Sequence, residues 1–307
     1  MPVNRLESDQ PGNAAANLPF FLGCPVFQCD RWASRVYPPG VSKARWLHWY
    51  SRMFNTVEGN STFYGLPSVE TVKRWATETL PGFRFALKMP RAISHESRLV
   101  GCQGVLEQFI DLARILKDAG RLGPSFLQLG PDFSSRYQGQ LFRFLDRLPS
   151  DLPWAVEVRH QDWFDESTNE QRLDEELVDR QIDKVLFDSR ALYQRPPDDE
   201  IEAVSQTRKP KTPLRRTVTS RHPFLRLIGR NRLELTERFI ADWVHIVRGW
   251  IEQGLQPFIF THAPNDEFAP AFARKFWERY CGVASADVHA MPPEYSPAVQ
   301  QSLFDSL

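Results

Sequence analysis

Residues 124–160 read PSFLQLGPDFSSRYQGQLFRFLDRLPSDLPWAVEVRH. Two short apolar runs, 124–130 and 154–160, flank a segment at 138–147 whose apolar residues recur near the 3.6-residue helical period. Parallel strands cannot be joined by a tight turn and need a crossover of about a dozen residues, usually a helix, so this stretch reads as one strand–helix–strand unit. Working outward, runs of the same kind occur at 20–25, 56–60, 84–90, 184–190, 223–229 and 257–263, which makes eight. Helical spacing fills 43–54, 69–78, 104–119, 170–181, 236–253 and 268–280. Strict alternation of this kind predicts a parallel sheet covered by helices, and eight units predict one closed (β/α)8 TIM barrel. An open doubly wound sheet would carry a Gly-rich phosphate turn after its first strand, and GCPVFQCD at 23–30 is not one. The expected division is a flexible arm at 1–18, a barrel domain at 19–283 and a polar, flexible tail at 284–307. Between strands six and seven, 191–222 carries an acidic and then a basic cluster and reads as a long, partly mobile loop, with room for a short helix.

Lys and Arg total 38 and so do Asp and Glu, leaving no net charge to draw the chain toward polyanions, although a local cationic site remains open. The composition, 42% hydrophobic and 25% charged over 307 residues, is that of a globular protein able to bury a large core. No apolar run reaches the ~20 residues of a spanning helix, and residues 1–17 lack the basic and apolar regions of a secretory signal, so the expectation is a cytoplasmic protein without membrane attachment. Cys24, Cys29, Cys102 and Cys281 form no CxxC pair and read as small buried or half-buried residues.

In such a barrel the chemistry sits at the C-terminal ends of the strands. Those ends are polar here. TVEGN places Glu58 and Asn60 on one face, AVEVRH does the same for Glu157 and Arg159 with His160 beside them, and neighbouring runs contribute Lys88, Gln128, Asp188, Arg226 and His262. An apolar strand tolerates a charge only when it is paired or solvated, so these groups predict one shared polar pocket, the competing reading being salt-bridged core layers. Glu58, Glu157, Asp188 and His95 are the candidate acid/base groups, and Asn60, Lys88, Gln128, Arg159, His160 and Arg226 the candidate ligand contacts. Trp163, with Trp32, Tyr37, Phe63 and Tyr64, could stack on a sugar or base. The carboxylates with His95, His160 and His262 could hold a divalent metal, but no HExxH or paired-His spacing favours one, and no cofactor is identified.

Five motifs in order, FNTVEGNSTFYGLP (54–67), RWATETLPGFRFALKMPRAISH (74–95), LGPSFLQLGPDF (122–133), AVEVRHQDWF (155–164) and FLRLIG (224–229), resemble the domain of unknown function 72 family, also called YecE-like proteins. The resemblance implies the same barrel and a polar pocket that includes His95, in a family whose activity is not established. Two departures stand out. LQLGPDF replaces an FQLPPSF-like stretch, and Thr261–His262 stand where an asparagine pair is common, which puts a role there in doubt. Near the end, QQSLF offers Gln300, Leu303 and Phe304 in the pattern by which repair proteins dock on the bacterial sliding clamp. Three functions follow: an enzyme, of hydrolase or lyase/isomerase type, acting on a phosphate-containing ligand, including nucleic acid in DNA repair; an enzyme for a small anionic or sugar-like metabolite; and a non-catalytic binding or recruitment protein. The first is narrowly favoured.

Overall fold

A computed structural model describes residues 18–282. Among these, the chain runs β1 (Phe21–Gly23), α1 (Trp46–Met53), β2 (Thr56–Gly59), α2 (Ser61–Tyr64), α3 (Val69–Glu78), β3 (Arg84–Leu87), α4 (Gln103–Asp118), β4 (Ser125–Gln128), α5 (Gln138–Leu145), β5 (Trp154–Glu157) and α6 (Thr168–Asp179). It continues with β6 (Asp183–Asp188), α7 (Arg190–Tyr193), α8 (Glu200–Arg208), β7 (Phe224–Ile228), α9 (Glu237–Glu252), β8 (Phe258–His262) and α10 (Ala269–Cys281). Each of the eight apolar runs coincides with one of these strands, β6 starting one residue before its run, and every strand pairing is parallel.

The strands do not close into one eight-stranded barrel. They form a six-stranded sheet in the order β1-β8-β7-β6-β5-β4 and a separate two-stranded sheet, β2-β3. The reason lies at the two seams. Between β1 and β2 one backbone bond remains, Glu58 N–H to the Cys24 carbonyl at 3.1 Å, and side chains take the place of the rest: Asn55 Oδ1 accepts from Leu22 N–H at 2.7 Å and its Nδ2 donates to the Phe20 carbonyl at 2.9 Å. The Tyr50 hydroxyl accepts from Cys24 N–H at 2.7 Å and donates to the Thr56 carbonyl at 3.1 Å. Gly23 permits the approach, since a Cβ there would stand 2.0 Å from the Thr56 carbonyl oxygen. Between β3 and β4 two isolated bridges, Phe85–Leu122 and Lys88–Phe126, differ in offset by one residue, a bulge-like slip that interrupts pairing.

Period-2 alternation then builds two layers on the inner face. Ala86, Phe126, Ala155, Val185, Phe224, Phe258 and Phe260 form an apolar cluster, with the Phe224 ring centroid 5.2 Å from Phe126 and 4.9 Å from Phe260. One step along, the same faces present Glu58, Lys88, Gln128, Glu157 and Arg226 at the C-terminal ends. The opposite faces, with Val57, Phe85, Leu127, Val156, Leu186, Leu225 and Ile259, pack into the main core together with residues of the helices.

The 191–222 connection is more built than a loop. Asp199 caps α8 by accepting from Glu202 N–H at 2.7 Å. The fully buried Arg230 donates to the Arg195 and Pro196 carbonyls at 3.0 and 2.9 Å and to the Glu202 carboxylate. Cys24 and Cys102 are buried and Cys29 half-buried as expected, but Cys281, at the end of α10, is exposed.

Candidate functional site

The polar layer is organised by Arg226 of β7. Its Nε and one terminal nitrogen donate to Glu58 of β2 at 2.9 and 2.7 Å, and its other terminal nitrogen donates to Glu157 of β5 at 2.5 Å. Glu58 also accepts from Asn60 Nδ2 at 2.8 Å and contacts His262 Nε2 at 3.1 Å. Glu157 accepts further from Arg159 Nε at 2.6 Å and Gln128 Nε2 at 3.0 Å. Both glutamates are almost wholly buried. Burial alone would push their carboxyls up, yet Arg226 and His262 hold Glu58 well below the usual carboxylate range, and Arg226 and Arg159 hold Glu157 at about 2. Burial brings His262 down to about 4 despite Glu58 beside it. At neutral pH the layer is therefore two ionised glutamates, fixed arginines and a neutral imidazole.

Above this layer opens a cavity of about 1020 Å³, lined among others by Asn60, Lys88, His95, Gln128, Arg159 and Lys209. Lys88 lies one residue past β3 with its stem buried and its Nζ 3.9 Å from the centre of the Phe63 ring. Burial, with Arg226 nearby, lowers its amine to about 7. Lys209 enters just beyond α8, is half-buried, and is brought to about 8, again by burial first and then by Arg226 and Arg159. Among the described residues no hydrogen bond or ion pair reaches either Nζ. His95 is carried by a π-helical turn, Ala92–Glu96, its Nδ1 2.8 Å from Ser94 Oγ and its ring edge-on to Phe63 at 5.2 Å. π-turns cost backbone strain and recur at functional sites, and here Arg98 and Leu99 follow at φ 47° and 70°. On the far side Asp266 faces the cavity, its carboxyl raised by burial. At the mouth Tyr64 is 82% exposed, opposite the exposed Ile201 and Val204 of α8.

Glu58, Asn60, Lys88, His95, Gln128, Glu157, Arg159 and Arg226 thus converge on one cavity and its floor. Asp188, Trp163 and His160 lie elsewhere. Asp188 is clamped by Arg190 at 2.9–3.2 Å and accepts from Trp243 Nε1 at 2.7 Å, on the helix side of β6. Trp163 is buried and donates to the Phe133 carbonyl at 2.8 Å. His160 caps the short turn Gln161–Phe164, accepting from Asp162 N–H at 3.2 Å. Gln300, Leu303 and Phe304 lie outside the described residues. His262, doubtful from the sequence, bonds Glu58 directly. Lys209 was visible only as one member of a basic cluster, with no periodic signal to aim it at the strand ends. Among the described residues no group of three or more His, Cys, Asp or Glu is placed to hold a metal ion. No helix among them is long and apolar enough to cross a membrane.

The profile of the family described as "Protein of unknown function DUF72" matches residues 21–296. The chain is 33% identical over 288 residues to UPF0759 protein YecE of Escherichia coli strain K12, covering 92% of this chain and 99% of that protein. It is 24% identical over 143 residues to UPF0759 protein YunF of Bacillus subtilis strain 168, covering 45% and 51%. The fold is shared with the crystal structure of a DUF72 family protein from Enterococcus faecalis V583, at TM-score 0.64, 17% identity, and 85% and 95% coverage. One from Thermotoga maritima MSB8 matches at TM-score 0.60 and 20% identity, covering 84% and 98%.

Proposed function

The chain belongs to the DUF72 family, and from its own side chains we propose that the cavity binds, and acts on, a small anionic molecule carrying a phosphate or carboxylate group. One observation carries this reading: two amines, Lys88 and Lys209, face the same space with Arg159, and among the described residues no carboxylate stands within ion-pair distance of either Nζ. A buried cation without a counterion is costly, and the buried Lys88, beside a half-buried Lys209 that the Asp266 carboxyl balances only from beyond ion-pair distance, leaves a ligand to supply the missing negative charge. Glu58 and Glu157 do not fill that role, because Arg226 already holds them. Their lowered carboxyls also make them poor proton donors near neutrality, so in this reading they position Arg226 and Arg159 and the amines do the contacting.

The size of the cavity favours a metabolite-scale ligand over nucleic acid. About 1020 Å³ is at the upper end of the range for small-molecule sites. One side of its mouth is α8, which Arg230 anchors through Glu202.

Titration calorimetry of the full chain with inorganic phosphate, pyrophosphate and a single-stranded oligonucleotide tests the reading. Phosphate or pyrophosphate should bind, weakened about tenfold or more by Lys88→Ala or Arg159→Ala, as for loss of one charge-assisted contact. Binding of the oligonucleotide alone would replace it with the nucleic-acid reading. Unchanged affinity in both variants would remove it.

A further inference from the structure

We propose that Lys88 is a covalent catalyst, its Nζ condensing with the carbonyl carbon of an aldehyde or ketone held in the cavity to form an imine. The proposal rests on the anion-binding reading for the way the substrate is held, but its chemistry depends on Lys88 alone.

Position comes first. Lys88 extends the inner face of β3, so its stem is fixed by the apolar wall and its amine ends inside the cavity, 8% exposed, against the face of Phe63. Partnering comes second. Other basic groups at comparable depth are tied down: Arg226 by Glu58 and Glu157, Arg230 by Glu202, and Lys184 by Asp174 at 2.6 Å. Lys88 is not, so its lone pair is unblocked once the proton leaves. Residue choice comes third. Only eight of the 38 basic residues are lysines, and for holding an anion a guanidinium serves as well or better. What an arginine cannot do is lose its proton and attack carbon. The surroundings support a large neutral fraction near pH 7: burial and the Arg226 and Arg159 charges favour the free amine, while Glu157 and Glu58 oppose it. His95 on the π-turn completes the near wall.

The step balances without an oxidant or reductant. The Nζ lone pair forms the C–N bond as the carbonyl π pair moves to oxygen, and a proton passes from nitrogen to oxygen to give the carbinolamine. A proton from solvent lets that oxygen leave as water as nitrogen donates its electrons to form C=N, the nitrogen's second proton returns to solvent, and the net change is amine plus carbonyl to imine plus water. An imine withdraws electrons from the adjacent carbon, which suits bond breaking or proton transfer next to a carbonyl.

The test uses the full chain with glyoxylate or the uncharged glycolaldehyde, each with sodium cyanoborohydride near pH 7, and peptide mass mapping. With glyoxylate, Lys88 should be reductively alkylated at least about tenfold faster than any lysine outside the cavity, and faster than Lys209, the advantage expected of a neutral over a protonated amine. Inorganic phosphate should slow that labelling, and Lys88→Arg should abolish it at this peptide while the thermal midpoint is kept. Selective glycolaldehyde labelling that phosphate does not slow would sustain the lysine's role and sink the anion reading. Phosphate binding with labelling spread evenly over the lysines would do the reverse and overturn the imine proposal.

Discussion

Two buried lysines, Lys184 near the start of β6 and Lys88 just past the end of β3, show how differently this fold treats the same side chain. Lys184, 3% exposed, reaches Asp174 of α6 at 2.6 Å and Glu170 at 3.7 Å. Its charge is neutralised where it lies, and it ties a strand to its covering helix. Lys88, 8% exposed, has an aromatic face and two arginines for company, and the carboxylates that act on it, Glu157 and Glu58, are already engaged by Arg226. The start of the strands closes its electrostatics internally, whereas the end of the strands leaves an excess of positive charge facing a cavity. That difference separates a charge kept for structure from one kept for a ligand.

The comparison can be broken most severely at Arg226. Arg226→Ala leaves Glu58 and Glu157 buried with their main partner gone and should cost about 3–5 kcal/mol of folding stability in denaturant titration. A loss under about 1 kcal/mol would mean the glutamates have solvent access that the geometry denies them. Next comes the pair of lysines. Lys184→Met should destabilise by about 1–3 kcal/mol, because Asp174 and Glu170 lose a buried partner. Lys88→Met should leave stability unchanged or raise it by about 1 kcal/mol while anion binding falls, since it removes an uncompensated charge. Equal losses in the two variants would erase the distinction.

The sign of a pH effect sharpens the same point. Lys88 has its folded value at about 7, below its ordinary 10.5, so between these limits the unfolded chain holds more protons and stability rises with pH. The stability of wild type relative to Lys88→Met should therefore increase through that window, in urea melts of both proteins. A flat difference would place the amine at its ordinary value. The smallest effect concerns the far end of the chain: removing residues 300–307 should leave the thermal midpoint and phosphate affinity unaltered. If the QQSLF peptide docks as its pattern suggests, the same truncation abolishes co-elution with a bacterial sliding clamp.

Most of the strand and helix alternation could be read from the sequence, because strands buried on both faces and amphipathic helices leave strong periodic signals. Closure could not. It depends on whether Asn55 and Tyr50 occupy backbone positions at a seam and on a one-residue slip beside β4, neither of which alters hydrophobic spacing. The floor of the site was readable for a related reason: a charge at the end of a buried strand needs a partner, and Glu58, Glu157 and Arg226 are one another's. Asp188 carried the same signal but not the same direction. It stands level with Leu227, facing the helices, while its neighbour Phe187 stands level with Arg226 on the inner side. Counting alternation from Phe187 would have separated it. Lys209 arrives from a connection whose path no local pattern encodes.

The division of the strands into two sheets gives the cavity a mechanical property. Glu58 and Lys88 ride with the smaller sheet, and Glu157 and Arg226 with the larger, so no single hydrogen-bonded ladder spans the site. The spacing between its two sides is set by the fit of Tyr50, Asn55 and Gly23 at one join and the slipped pairing at the other, and the Glu58–Arg226 contact works as a gauge across them. A substitution at Tyr50 or Gly23, neither of which lines the cavity, would be felt at the gap between Lys88 and Arg159.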